Sequence, residues 1–347
     1  MFKFWLKNLF RLIAIAAIGG LLTVSLGSYF AWRYPWELLT HFRVQYFLLS
    51  LGLVLGLFGL WRSRYLIHPS WLLIGCVLLG LNAAEIVPWY LPHPQQMYVA
   101  DRASGSQDAD AGSGLPFDRD LRVLSVNVNS SNKAYAPTIE MVQTEQPDVV
   151  LFIEMNPQWI EQLKVSLSDR LPYNFDPVGD LFVMSRLPLQ DVRVEQFNTR
   201  GSFLLATLKL ADQTVQWVGV HPRVPLREQN FHQRNQQLDE LSQYLSTIKT
   251  PVIAIGDFNI TPWSPYYRQF IQQASLHNAQ LGRGIFPSFP RASTLVPLPK
   301  WLIPIVNVPI DHCFVSPHFG VREIHTVTHG NADHAALSVG LVLLKGE

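Results

Sequence analysis

Cysteine is nearly missing from this sequence, with two in 347 residues, Cys76 and Cys313. Cys76 lies in an apolar run and Cys313 directly follows a histidine. No disulfide framework fits that pair, and neither cysteine has the spacing of a zinc site. The scarcity suits a reducing compartment and also an oxidising one, so it leaves location open. An excess of either charge is missing too. The net charge is +1, and from Leu121 onward 18 Lys and Arg stand against 19 Asp and Glu. That balance argues against a broad cationic stripe that tracks long nucleic acid, while leaving room for a protein that grips a few phosphates. No repeat of fixed period recurs. The first ninety residues are short of charge altogether and are rich in Leu, Ile, Gly and Trp.

Those ninety residues predict a membrane anchor over 1–91. Between Arg11 and Arg33 there is no charged residue, enough chain to cross a hydrocarbon core of roughly 30 Å at about 1.5 Å per residue. A second run, Val44–Trp61, lies between Arg43 and Arg62, and a third, Tyr65–Ala84, contains His68 and Pro69 and stops at Glu85. Three transmembrane helices are therefore expected over 12–32, 44–61 and 65–84. The third is the weakest, with a re-entrant or surface helix as its alternative. Aromatic residues such as Trp32, Trp36, Trp61 and Trp89 sit near the span ends, where amphipathic rings prefer the interface. A cleaved signal peptide fits poorly, because two more apolar runs follow the first.

Lys3, Lys7 and Arg11 precede the first span and Arg62 and Arg64 follow the second. This excess places the N-terminus and the second loop inside. With three spans, everything beyond residue 91 is expected outside, in an integral protein of the inner or plasma membrane. Losing the third span would move it to the cytoplasm. Residues 92–120, with Ser-Gly-Ser-Gln-Asp-Ala-Asp-Ala-Gly-Ser-Gly, read as a flexible linker.

From Leu121 to the C-terminus short apolar runs alternate with polar clusters. Strands are expected at 121–128, 148–154, 181–185, 203–210, 215–220, 252–255, 310–315 and 336–344. Helices are expected at 137–146, 229–249 and 266–275, the second marked by the stripe Leu238, Leu241, Leu245. Strands outnumber helices and their runs suit sheets covered on both faces. The expected fold class is α/β, a sandwich of two mixed sheets flanked by helices and preceded by transmembrane helices.

The chemically suggestive residues gather at strand ends, where loops over a rigid sheet present reactive groups. They are Asn127, Asn129, Glu154, His221, Asp257, Asn259, Asp311, His312, Asp333 and His334. Burying unpaired carboxylates is costly, so a cluster of them implies a cation or catalysis. Oxygen-rich, cysteine-free ligands suit Mg²⁺ or Mn²⁺.

Seven ordered motifs now stand together: LRVLSVNVN (121–129), QPDVVLFIEM (146–155), LFVMSRLPL (181–189), VGVHP (218–222), IAIGDFN (253–259), PIDHCFVS (309–316) and NADHAALSVGL (331–341). In this order and spacing the chain resembles the endonuclease/exonuclease/phosphatase (DNase-I-like) superfamily, and most closely its bacterial members with short N-terminal membrane spans. That superfamily includes apurinic-site endonucleases, DNase-I-like nucleases, inositol-polyphosphate phosphatases and neutral sphingomyelinases. The resemblance implies hydrolysis of a phosphodiester or phosphomonoester with a divalent metal.

Carried over by residue, the resemblance makes Glu154 the principal metal carboxylate, with Asn127 and Asn129 beside it and Asp333 as a second metal-linked acid. Asp257 would position or deprotonate the attacking water, and Asn259 would hold a phosphate oxygen. His334, oriented by Asp311, would contact the scissile phosphate, and His221 would stabilise the phosphorane or protonate the leaving group. Arg186, Arg223 and His312 are candidates for substrate binding. The alternatives are a sheet-edge salt bridge for Arg186 and a satisfied core histidine for His312. Arg227 and Arg234 could also clamp phosphate, and His325 and His329 read as solvent-facing.

The substrate stays open between nucleic acid and a phospholipid or small phosphodiester, with charge balance and tethering leaning to the latter. An inactive membrane-anchored binding module on the same fold is the alternative, against which the intact site set argues. The segment 286–309 is unusually apolar and proline-rich. Its Trp301, Leu302 and Ile303 beside Lys300 suit a bilayer surface or a lipid pocket, or else a loop packed on its own sheet.

Overall fold

The computed structural model describes residues 2–65, 68–92, 120–175, 179–195 and 203–344. Apart from its two end residues, the expected linker over 92–120 lies outside them. Two compact units result. One comprises residues 1–90 with Thr261–Arg268, the other residues 91–260 and 269–347.

The first unit contains α1 (Phe2–Gly27), α2 (Trp36–Thr40), α3 (Arg43–Arg62) and α4 (Ser70–Ile86). Three of its helical stretches, Phe4–Phe30, Arg43–Arg62 and Ser70–Trp89, are long and apolar enough to cross a membrane. The first helix starts ten residues earlier than expected, because Lys3, Lys7 and Arg11 are good helix formers and extend it. The last starts at Ser70 rather than Tyr65, since Pro69 can stand before a helix but not inside one.

Polar groups of this unit turn inward. Asn82 donates to Ser25 Oγ and Ser50 Oγ, both at 3.0 Å. The buried Arg43 donates to Asn82 Oδ1 at 3.1 Å, to the Ser25 carbonyl at 3.2 Å, and to Ser28 Oγ. Such a network satisfies groups that an apolar surround would leave costly, and it joins the three long helices.

The second unit is a two-sheet sandwich. Its strands are β1 (Asp120–Asn127), β2 (Val149–Ile153), β3 (Tyr173–Phe175), β4 (Leu181–Ser185), β5 (Gln190–Glu195), β6 (Phe203–Leu210), β7 (Gln213–Val220), β8 (Val252–Asp257), β9 (His277–Asn278), β10 (Asp311–Val315), β11 (Phe319–Thr328) and β12 (Ala335–Leu343). Its helices are α5 (Tyr135–Glu145), α6 (Pro157–Leu167), α7 (Glu228–Thr247), α8 (Pro265–Ala274, whose first turn falls in the other unit) and α9 (Ile303–Val306). The sheets run β11-β12-β1-β2-β4-β3 and β5-β6-β7-β8-β10-β9.

Both sheets are built around a parallel pair, β1 with β2 and β7 with β8. Every residue of β2 and of β8 is buried, which is why these strands read as unbroken apolar runs. The core between the sheets draws Val123, Leu151 and Val339 from one and Leu204, Trp217 and Ile253 from the other. A second core under α5 and α6 gathers Phe152, Phe182 and Trp159.

α6 was not expected, yet the chain carries its start signal. Asn156 accepts from the Trp159 N–H at 2.9 Å and Pro157 follows, an N-cap and an N1 proline. Also unexpected are β3, β5, β9 and β11, short, edge-placed or bulged strands whose alternation is broken; β11 shifts register between Val321 and Glu323.

The parallel pairs decide where chemistry is placed. The C-terminal ends of β1, β2, β7 and β8 deliver Asn127, Glu154, His221 and Asp257. β10 runs antiparallel to β8 and β12 antiparallel to β1, so their N-terminal ends, beginning at Asp311 and just after His334, arrive at the same end of the sandwich. Gly256 makes the closest of these approaches possible. Its φ is +151°, and a Cβ there would lie 2.0 Å from the Val220 carbonyl oxygen. Gly256→Ala is therefore expected to cost about 3 kcal/mol or more through strain and clash. Thermal unfolding would check this, and a Tm equal to wild type would contradict it.

Candidate active site

At the end of β1, Asn127 donates from Nδ2 to Glu154 Oε1 at 2.9 Å. Glu154 stands one residue past β2 in a left-handed conformation, φ +60°, which turns the chain sharply away. Asn129 also has a positive φ. Its N–H binds Asn127 Oδ1 at 3.1 Å while its own Oδ1 accepts from Ser131 N–H at 3.1 Å. The side chain of Asn129 thus shapes the loop, an Asx-type turn.

On the second sheet Asp257 ends β8, and its Oδ1 accepts from the Asn259 N–H at 2.8 Å. Asn259 in turn donates to the Pro222 carbonyl at 3.1 Å. Helix α7 braces both loops from behind. Arg234, fully buried, donates to the Asn259 carbonyl at 2.7 Å, and Gln237 one turn later accepts from the Arg223 N–H at 3.0 Å. The expectation that Arg234 clamps phosphate is corrected. It lies fully buried behind the Asp257–Asn259 loop and holds it through Nη1.

Directly across the sheet from Asp257 stands Asp311, its register partner on β10. Asp311 Oδ2 accepts from His334 Nδ1 at 2.9 Å, and His334 Nε2 lies 3.7 Å from Asp257 Oδ2. The Phe289 ring covers the imidazole at 4.7 Å. All three polar residues are buried, and one potential ligand atom from each lies within 4.8 Å of the others. Burial pushes the Asp257 carboxyl up and neighbouring Asp311 pushes it further, while His334 and His221 oppose. Burial alone would depress His334, but Asp311 and Asp257 overcome it and hold the imidazole well above its ordinary value. The cluster seats the His334 imidazole between two carboxyl groups.

His221 has an analogous partner that the sequence does not announce. Its Nδ1 lies 2.7 Å from Asp180 Oδ2, and its buried Nε2 has no hydrogen-bond partner among the described residues. Burial would lower this histidine, yet the bond to Asp180 and the charges of Asp180, Asp257 and Glu154 raise it to about 9. Burial would likewise raise Asp180, but His221 holds it below the usual carboxylate range. Asp180 sits immediately before β4, whose first residue pairs with Ile153 at the end of β2, so it falls beside Glu154. A carboxylate at the edge of a buried strand is the signal that also marks Glu154.

This pair has a pH signature. The raised His221 pKa contributes stability that is complete below its unfolded value near 6.5 and is lost as pH rises through about 9. If the cation is the active form, activity falls along the same alkaline limb. In Asp180→Asn the nearest anion is gone while burial remains, so that limb is expected to move to lower pH. A pH–rate profile checks this, and an unmoved limb would exclude the coupling.

Asp333 lies beside His334. Its Oδ1 is buried without a hydrogen-bond partner among the described residues, while its carbonyl accepts from Arg291 N–H at 2.7 Å. A buried carboxylate oxygen left without a donor is costly, and a cation would offset that cost. Glu154 and Asn127 are likewise oxygen donors, the ligand type that suits a hard divalent ion.

Other expected residues lie elsewhere. Arg186 donates from Nε and Nη2 to Asp148 Oδ1 at 2.8 and 2.6 Å, before the start of β2. Glu154 is at the other end, about 20 Å away at strand rise, so Arg186 is the sheet-edge ion pair and not a substrate ligand. His312 is a satisfied core histidine, bonded to Asn278 at 3.0 Å and the Ile260 carbonyl at 2.8 Å. Burial lowers it to about 4, so it is neutral and structural. His329, expected in solvent, is buried against Thr138 Oγ1 at 3.1 Å and lowered by burial to about 4. His325 is half-exposed and bonded to Glu145 at 3.0 Å. Arg223 and Arg227 are exposed on the loop after His221.

A family model described as Endonuclease/Exonuclease/phosphatase family matches residues 124–334, which include every strand-end residue above. The chain belongs to this family. Membership makes it a hydrolase of phosphate-ester bonds. Solved structures agree on the fold. D. rerio TDP2 complexed with a single-strand DNA product is similar at a TM-score of 0.54 and 16% identity, over 64% of this chain and 98% of that one. Sphingomyelinase C from Streptomyces griseocarneus gives 0.51 and 16%, over 64% and 99%. An endonuclease/exonuclease/phosphatase from Beutenbergia cavernae gives 0.51 and 20%, over 65% and 72%. Among curated protein sequences nothing matches the chain.

Proposed function

We propose that this family member is a membrane-anchored, divalent-metal-dependent phosphoesterase that hydrolyses a phosphodiester or phosphomonoester by in-line attack of water. The observation that carries the reading is the buried Asp257–His334–Asp311 cluster. Asp311 fixes the imidazole through Nδ1 and keeps it charged, so Nε2 is a donor for a phosphoryl oxygen. Asp257, with its raised pKa, takes the proton of the attacking water. Asn259, held by Arg234 and Pro222, offers its amide to a phosphate oxygen. His221, kept protonated by Asp180, stabilises the charge that develops or delivers a proton to the leaving oxygen.

Glu154 and Asn127, with Asp333, would hold Mg²⁺ or Mn²⁺, which when bound supplies Lewis-acid neutralisation of phosphate charge. An inactive binding module on this fold would leave the cost of burying an imidazole between two carboxyl groups without a purpose.

Three helices able to cross a bilayer support the anchor, and the Lys/Arg excess before the first and after the second supports an extracytoplasmic catalytic unit. Charge balance and tethering favour a phospholipid or small phosphodiester over long nucleic acid. The full chain in nanodiscs, assayed on bis(p-nitrophenyl) phosphate, is expected to lose turnover in EDTA and regain it with Mn²⁺ or Mg²⁺. A protein that binds neither ion, and whose Asp257→Ala form matches wild type, would end the hydrolase reading. A panel of plasmid, single-stranded DNA, RNA, phosphoinositide and sphingomyelin then ranks the substrates. A C-terminal reporter active only in the cytoplasm would overturn the orientation.

A further inference from the structure

Between Phe289 and Val308 the chain makes an excursion closed at its neck by a β-bridge, with Val308 N–H on the Phe289 carbonyl at 2.6 Å and Phe289 N–H on the Val308 carbonyl at 3.1 Å. The neck adjoins the catalytic cluster. Phe289 covers His334, and Val308 precedes Asp311 by three residues.

The first half of the excursion is tied to the loop that carries Asp333 and His334. Arg291 N–H binds the Asp333 carbonyl at 2.7 Å, Ser293 Oγ donates to the Asn331 carbonyl at 2.7 Å, and Thr294 N–H binds Asn331 Oδ1 at 2.9 Å. The second half is an ordered turn that leads into α9. Leu302 N–H binds the Pro299 carbonyl at 2.9 Å, Asn307 N–H binds the Ile303 carbonyl at 3.0 Å, and Ile303 is buried as an anchor.

Such a folded segment would ordinarily bury its large apolar side chains. Here Trp301 is 71% exposed, Ile305 53% and Leu298 38%, spaced three and four residues apart, with Lys300 among them. The loop after His221 repeats the pattern, with Leu226 70% exposed between Arg223 and Arg227. Apolar and indole side chains interleaved with cations match a lipid surface, where rings and chains enter the boundary and cations meet phosphate. The same chain carries three helices able to cross a bilayer.

We infer that the excursion 290–307 is a bilayer-contacting lip that seats Leu298, Trp301 and Ile305 in the headgroup region and presents a lipid phosphoester to the active site. Its substrate clause rests on the hydrolase reading, whereas its contact clause does not.

The test uses the full chain in phosphatidylcholine–phosphatidylglycerol nanodiscs on a Cys76→Ser background. Spin labels go on Trp301→Cys and separately on Ile305→Cys, with Val165→Cys as a water-facing control that is 81% exposed on α6. Labels at 301 and 305 are expected to favour oxygen over a water-borne nickel chelate and to report roughly 5–10 Å of entry into the headgroup–acyl boundary. The label at 165 is expected to stay in water. Labels at 301 and 305 as water-accessible as the control overturn the contact clause. Labels shielded from both reagents also overturn it, because a protein surface then covers the lip.

The second measurement compares turnover of sphingomyelin or phosphatidylinositol phosphate in vesicles with that of soluble bis(p-nitrophenyl) phosphate. In Trp301→Ser/Ile305→Ser the ratio of vesicle to soluble turnover is expected to fall on the order of tenfold. An unchanged ratio overturns the substrate clause. Absence of turnover on every substrate by wild type would instead be a failure of the hydrolase reading, with the depth measurement still standing.

Discussion

Asp257→Asn is expected to lower kcat by about 10²- to 10⁴-fold, the range associated with loss of a general base. Two features place so large an effect on this residue. Asp257 ends a fully buried strand, where the Asn259 N–H on its Oδ1 fixes the carboxylate. Its carboxyl is also pushed up by burial and by Asp311, which makes it a better proton acceptor than an exposed aspartate. An amide of the same shape keeps the packing but cannot take a proton.

The same shift predicts an unusual stability result. In the unfolded chain Asp257 ionises freely above about 4. In the folded protein its ionisation is resisted, so between those two pKa values rising pH pulls toward the unfolded state. Asp257→Asn removes that pull, and its Tm at neutral pH is expected to be no lower than wild type. Thermal unfolding beside steady-state kinetics checks both halves. A Tm well below wild type would mean that the carboxylate supports the fold rather than the chemistry.

Asp311→Asn is expected to cost about 10²- to 10⁴-fold in kcat by a different route. Asp311 Oδ2 accepts a hydrogen bond from His334 Nδ1 at 2.9 Å and is the strongest electrostatic support of the imidazolium. An asparagine carries no charge to keep His334 protonated and can present either end of its amide to Nδ1. His334 should then titrate far below its present position, with an alkaline limb appearing in the pH–rate profile at lower pH. The two residues act as one unit, so Asp311→Asn combined with His334→Ala should be no slower than His334→Ala alone. Multiplicative losses in the double variant would show that Asp311 has a separate task.

The sandwich was largely legible because its central strands carry unbroken apolar runs, and runs such as VVLFI and VIAIG have few other uses. The site residues at the ends of those runs were legible for the same reason. Strand direction was less so. The motif MSRLPL shows that Arg186 closes a strand, but only the antiparallel pairing of β4 with β2 places that end beside Asp148, away from Glu154.

Long-range partners were illegible in principle. Asp180 meets His221 across 41 positions, and His329 is buried by Thr138 across 191. A short polar loop such as His329-Gly330-Asn331 reads as surface until the fold brings a helix against it. Arg234 was misread because an inward-facing arginine on an amphipathic helix has the same local context as one that faces substrate. Only the hydrogen bond to the Asn259 carbonyl separates the two.

The pairing of β1 with β12 has a practical side. Asp120 stands opposite Val342, so the strand that enters the catalytic unit and the strand that leaves it lie antiparallel, with entry and exit at a shared rim. The residues of the site gather at the other rim, beyond Asn127 and before Ala335. A tag or fluorescent domain appended at the C-terminus would therefore hang far from the chemistry. A short splice from the last strand back to residue 120 would close the catalytic unit into a ring that could be reopened elsewhere. Cutting that ring in an exposed loop would yield a permuted enzyme with its tether at a new point on the surface, a direct way to vary how the mouth of the site is held.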